Sequence, residues 1–181
     1  MGAMSARFER IATETRYEGR IVDVREDRFR YEDGGEANRE IVVHPGAVGI
    51  VCHDDEQLFL VAQPREAIGE PDFLELPAGK FDVEGEPPLE TAKRELAEEI
   101  GKAADTWEEL KVFYGSAGFS NEQVHVWLAT DVRDVQKPEI EEEERIDLVT
   151  WPLSDLDGLI AKVTDAKTLI GLWELRHRLR G

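Results

Sequence analysis

Residues Leu89–Gly101 read LETAKRELAEEIG and crowd four glutamates and two basic residues into thirteen positions. Pro87-Pro88 stands just ahead and Gly101 closes the run, the arrangement expected at the two ends of a helix. On that helix Glu95, Glu98 and Glu99 share one face, while Leu89, Leu96 and Ile100 fall mostly on the other. Arg94 is within helical reach of both Glu90 and Glu98. Spacing alone leaves two readings open. One is a solvated acidic face with ordinary ion pairs. The other is a set of hard oxygen donors that calls for a counter-cation such as Mg²⁺ or Mn²⁺, which such carboxylates bind together with substrate phosphates.

Around this helix the pattern is mostly strand. Tyr17 to Tyr31 alternates apolar and polar residues, Asp33-Gly34-Gly35 makes a turn, and REIVVH (Arg39 to His44) follows, which predicts a small antiparallel sheet. AVGIVCH and QLFLVAQ read as a buried hairpin joined by His53 to Glu56. FLELPAGKF is a short strand running into a loop. ELKVFYGS, QVHVWLATDV and IDLVTWPL are further strands, and Leu156 to Arg180 is helical with a break near Thr164-Asp165. Strands and helices mix without regular βαβ alternation, so the expected class is α/β or α+β with a mixed sheet.

The chain has 181 residues and a net charge of −18, with 22 basic against 40 acidic side chains. That balance argues against a nucleic-acid polymer as partner, because phosphate-backbone binding needs clustered Lys and Arg. A small anionic substrate stays open if cations neutralise it locally. Cys52 is the single cysteine, which rules out an internal disulfide and fits a reducing cytoplasm. No apolar run reaches the length of a membrane span. The four histidines lack metal-ligand spacing, and Trp127 and Trp151 sit in strand patterns as core or interface residues. The opening MGAM reads as a cloning remnant ahead of Met4. We expect an N-terminal β appendage over 1–44, with 1–3 belonging to the remnant, and a main domain over 45–181.

The run from Gly79 through Glu86, Arg94, Glu95, Leu96, Glu98, Glu99 and Gly101 resembles the Nudix box, G-x5-E-x7-R-E-U-x-E-E-x-G-U, where U is aliphatic. Two features depart from it: six residues, not five, separate Gly79 from Glu86, and Lys102 takes the last aliphatic position. HPGAVGIV, LELPAGK, GFSNEQVHVWLA and DAKTLIGL, in that order, further resemble bacterial ADP-ribose pyrophosphatases. A third departure is Ala117 in Ser116-Ala117-Gly118-Phe119, where that subfamily usually has proline.

The resemblance implies a Nudix α/β/α sandwich with a mixed sheet and a small N-terminal antiparallel sheet, in a homodimer. The implied activity is hydrolysis of a nucleoside diphosphate linked to another moiety, foremost ADP-ribose to AMP and ribose 5-phosphate. Glu95, Glu98, Glu99 and the carbonyl of Ala78 would hold Mg²⁺, with Mn²⁺ as a substitute, and Arg94 would orient the glutamates. In related enzymes a base comes from an acidic loop after the box. Here that loop is PEIEEEERI, with Glu144 at the base position and Glu142 or Glu143 as alternatives. Ile21 and Arg39 match positions that sandwich the adenine, Glu40 one that accepts from its amino group, and Arg20 lies beside them. Arg65 matches a phosphate or ribose contact and Glu122 a terminal-ribose contact. An ADP-sugar, a GDP-sugar or a dinucleotide is the alternative substrate, and a non-catalytic nucleotide sensor the alternative of a different class.

Overall fold

The computed structural model describes residues 7–137 and 145–180. The chain divides into two compact units, one of residues 1–45 with 114–122, the other of residues 46–113 with 123–181.

The first unit is a three-stranded antiparallel sheet of β1 (Phe8–Glu18), β2 (Asp23–Tyr31) and β3 (Glu36–Val43), in that order. The turn between β2 and β3 carries Gly34 at φ 83°, a conformation that a side chain disfavours. Sequence alternation anticipated β2 and β3 but not β1, whose strand FERIATETRYE is exposed along nearly its whole length. Asp27 is fully buried in the sheet. It is compensated by Thr13 Oγ1 at 2.9 Å, Arg25 Nε at 2.9 Å and Arg10 Nη1 at 3.4 Å, as a buried carboxylate requires. The 114–122 segment joins this unit through Val42 N–H, which donates to the Phe119 carbonyl at 2.8 Å.

The second unit is a mixed sheet with helices on both faces. Its strands are β4 (Ala47–His53), β5 (Gln57–Arg65), β6 (Glu70–Glu75), β7 (Ala78–Lys80), β8 (Lys102–Tyr114), β9 (Gln123–Asp134) and β10 (Asp147–Pro152). The order is β10-β5-β4-β9-β8, with β6 on β5 and β7 on β4. β4 and β9 run parallel, and the pairings of β4 with β5 and β7 are antiparallel.

Alternation along β4 sends side chains to opposite faces. Val48, Ile50 and Cys52 join a core with Ala92, Leu96 and Ile100 of α1 (Pro88–Ile100). Val51 joins a second core with Leu76, Leu159, Leu172 and Leu175, under α2 (Leu156–Lys162) and α3 (Ala166–Arg180). At Gly171 a Cβ would lie 2.8 Å from both Leu76 Cδ1 and Val51 Cγ2, so α3 lies closer to the sheet than a side chain there would allow. This is the sandwich expected from the sequence. No helix among the described residues is long and apolar enough to cross a membrane.

Burial pushes the Cys52 thiol up to about 12, against a slight pull from Lys102. The reactive thiolate is therefore nearly absent at pH 8. Iodoacetamide at that pH should leave the folded protein unmodified and label it after denaturation; rapid native labelling, read by mass spectrometry, would contradict the burial. Because the folded pKa exceeds the unfolded one, this group's share of stability is intact below about pH 9 and falls as pH rises towards 12.

Candidate active site

Helix α1 begins with Pro88 in its first turn and ends at Gly101, whose φ is 64° and whose N–H donates back to the Ala97 and Leu96 carbonyls. Its buried stripe is Thr91, Ala92, Leu96, Glu99 and Ile100. Glu99 is thus a core-side residue, only 6% exposed, and its Oε2 accepts the Ala78 N–H at 2.9 Å. The Glu95 side chain is 13% and that of Glu98 33% exposed. The glutamate face is therefore not a solvated surface. Most of it is packed, with Glu99 fastened to the Ala78–Gly79 segment.

Arg94 is the hub. Its Nη1 lies 2.9 Å from both Glu95 Oε1 and Glu98 Oε2. Its Nη2 reaches Asp82 Oδ1 at 3.0 Å and Glu86 Oε2 at 3.2 Å. Glu90 is not a partner: it pairs with Lys93 at 2.8 Å, so the bridge from Glu90 to Arg94 that helical spacing allowed is replaced by Glu86 from the preceding loop. The hydrogen bond from Arg94 holds the Glu86 carboxyl below its ordinary range, helped by the Thr91 hydroxyl. Burial lowers the Arg94 pKa, but the Glu86 bond and the charges of Glu95 and Glu98 outweigh it and keep the guanidinium protonated. Glu95 moves the other way: burial pushes it up to about 7, Arg94 opposes, and Glu98 adds repulsion.

The box glycine and the two departures within the box have local explanations. A Cβ on Gly79 would lie 2.0 Å from Glu95 Cδ, so glycine is required because the Glu95 carboxyl occupies that space. The longer loop is taken up by a turn in which Glu86 N–H donates to the Val83 carbonyl at 3.1 Å and Gly85 adopts φ 78°. Asp82, from the same loop, supplies a fourth carboxylate to Arg94; its position in the box loop was the only sequence signal for it. Lys102 keeps the aliphatic position by laying its stem inward. Its Nζ sits 4.2 Å from the Phe59 ring centroid and 2.8 Å from Asp134 Oδ1.

Carboxylate oxygens such as these suit a hard divalent cation in kind. Glu95 and Glu98 already converge on one positive centre, the Arg94 nitrogen. Among the described residues, no three His, Cys, Asp or Glu side chains form a group ready to hold a metal. A cation would therefore add to the positive charge that Arg94 places there.

The other candidates are described within their own units. In the second unit the Arg65 guanidinium is bound to the buried Glu75, with Nε at 2.9 Å from Oε2. In the first unit Arg20 and Ile21 line one cavity of about 330 Å³ with Val43 and His44. Arg39 lines another, of about 310 Å³, with Phe8, Phe29 and Tyr31, and donates to the Tyr31 hydroxyl at 3.1 Å. Glu40 lies opposite Glu26 in the β2–β3 ladder. Glu122 has Oε1 3.7 Å from His44 Nδ1. Glu142, Glu143 and Glu144 lie outside the described residues.

Comparison with known proteins gives this geometry its context. The NUDIX domain profile matches residues 42–170. An ADP-ribose pyrophosphatase of Mycobacterium tuberculosis is 46% identical over 80% of this chain and 70% of its own. One of Bacillus subtilis is 36% identical over 92% of this chain and 91% of its own. A methanol dehydrogenase activator of Bacillus methanolicus is 34% identical over the same shares. A crystal structure of an ADP compounds hydrolase superposes with a TM-score of 0.85 at 25% identity, covering 99% of this chain and 98% of that one. The match thus takes in the box, its flanking strands and most of the remaining chain, and on that basis this chain belongs to the NUDIX family of hydrolases.

Proposed function

We propose that the chain hydrolyses ADP-ribose to AMP and ribose 5-phosphate. The observation that carries this reading is the fixing of the box glutamates on one helix, Glu95 and Glu98 by a shared Arg94 nitrogen and Glu99 by the Ala78 N–H. The two ADP-ribose pyrophosphatase relatives support the substrate. Water attacks one phosphorus, the bridging P–O bond breaks, and the bridging oxygen leaves with the other phosphate. Bound Mg²⁺, with Mn²⁺ as a substitute, supplies charge neutralisation of the phosphates and a more acidic water.

This chain's residues do the rest. Glu95, Glu98, Glu99 and the Ala78 carbonyl hold the cation. Arg94 sets the orientation of Glu95 and Glu98 while staying off the substrate. Arg65 meets the phosphate or ribose with its fork, and Glu122 the terminal ribose. Arg20, Ile21, Arg39 and Glu40 recognise adenine from the N-terminal sheet of a second copy. The exposed Phe8 and Tyr17 of that sheet, with Ile21 in the turn between β1 and β2, favour a homodimer, which light scattering would test. The N-terminal 1–44 segment thus serves dimerisation and base recognition, the 45–181 segment hydrolysis, and the single cysteine suits the cytoplasm.

The test is AMP release from ADP-ribose with and without Mg²⁺. Binding without release would support a sensor and end the enzyme reading. Ala117 in place of proline, together with the differently described activator relative, favours one second reading: the same chemistry on an ADP-sugar, GDP-sugar or dinucleotide. A panel ranked by kcat/KM separates the two.

Glu144 is the proposed general base. Glu144→Gln should lower kcat by about 10²–10⁴-fold, the usual span for such a group, and leave KM nearly unchanged. Wild-type turnover in that variant would transfer the role to Glu142 or Glu143.

A further inference from the structure

Glu75 ends β6 with its side chain 3% exposed. A carboxylate so buried needs compensating partners, and three donors reach it. Arg65 gives Nε and Nη2 to Oε2, Gln63 Nε2 lies 3.3 Å from the same oxygen, and Lys167 Nζ takes Oε1 at 2.8 Å. Lys167 stands in the first turn of α3 and is itself held by Asp165 Oδ2 at 3.0 Å. Asp165 also accepts the Thr168 N–H at 2.9 Å and its hydroxyl at 2.7 Å.

The same turn of α3 grips the segment that follows Glu75. Leu76 N–H donates to Thr168 Oγ1 at 2.9 Å, the Pro77 carbonyl accepts Ile50 N–H at 2.8 Å, and Ala78 N–H goes to Glu99. Residues 75–78 are thereby pinned in succession by α3, β4 and α1.

We infer that Lys167 is a positioning residue for the reaction: by occupying one oxygen of Glu75 it restricts Arg65 to the other and so aims the guanidinium at the diphosphate. This rests on the proposed function in one respect, the contact of Arg65 with phosphate or ribose. The chemistry is that of a fork. Glu75 now offers Arg65 a single oxygen and leaves Nη1 unengaged by it. With Lys167 removed, Oε1 opens, the Nε–Nη2 edge spreads over both oxygens, and the guanidinium tilts towards Oε1, carrying Nη1 off its present aim.

The test is a cycle of wild type, K167M, R65A and the double variant, assayed with ADP-ribose and Mg²⁺ alongside thermal unfolding. K167M should raise KM about tenfold with kcat held within about threefold, the scale of one charge-assisted contact. K167R should keep KM within about threefold of wild type, and K167M should add less than about twofold in the R65A background. Should K167M not fold, K167A, which likewise offers Glu75 no donor, takes its place with the same expectation. A lowered melting temperature with unchanged KM, or an equal effect with and without Arg65, overturns the inference. Wild type that releases no AMP removes the proposed function, and this inference with it, before any variant is measured.

Discussion

Glu99→Gln will lower turnover on the order of 10³-fold while the protein stays folded, the scale seen when a preorganised charge is removed from a reaction centre. The two halves of that expectation have different sources. Folding is preserved because glutamine keeps the shape of the side chain and an oxygen that can accept the Ala78 N–H, now 2.9 Å from Oε2. Activity is lost because the negative charge disappears from a side chain 6% exposed, where water cannot substitute for it. The check is kcat for AMP release together with the thermal unfolding midpoint. A variant that turns over like wild type would remove Glu99 from the proposed cation-binding set. Glu98→Gln should show a comparable loss with less effect on stability, its side chain being a third exposed.

The second large effect is expected from the smallest change. Gly79→Ala adds one methyl group, but its carbon would stand 2.0 Å from Glu95 Cδ and 2.1 Å from Oε1. No carbon contact survives at that separation, so either Glu95 leaves its place beside Arg94 or the β7 backbone moves and takes the Ala78 carbonyl with it. Either way a proposed ligand is displaced, and kcat should fall about a hundredfold or more. Overpacking of this kind costs typically about 1–3 kcal/mol, so a lowered unfolding midpoint should accompany the loss. Near-normal kinetics in Gly79→Ala would mean that Glu95 does not need its present position.

How far the sequence could be read depended on what each residue faces. α1 was legible because prolines, glycine cap and periodicity agree. β1 was not, since a strand exposed on both sides, FERIATETRYE, has no alternation to show, and only its ladder with β2 defines it. The start of β8 at Lys102, directly after the helix cap, was likewise hidden in the weakly patterned KAADTW, and only its later half, from Glu109, was anticipated. In the candidate site, carboxylate spacing grouped Glu95, Glu98 and Glu99 on one face, yet Glu99 is buried on the stripe that carries Leu96 and Ile100. The Glu75–Lys167 pair, 92 residues apart, leaves no trace in local sequence at all: a lone carboxylate between two leucines was its only hint.

The turn at Gly85 has a consequence for engineering. A Cβ there would meet nothing within 4 Å, and the turn lies ahead of Glu86 and the helical positions whose spacing matters to Arg94. Extra residues inserted at that point would pay only the slowly growing entropy of a longer loop. The extra residue already carried by this box is a natural instance of such an insertion, and the same position is a place to graft a fluorescent reporter next to the proposed active site.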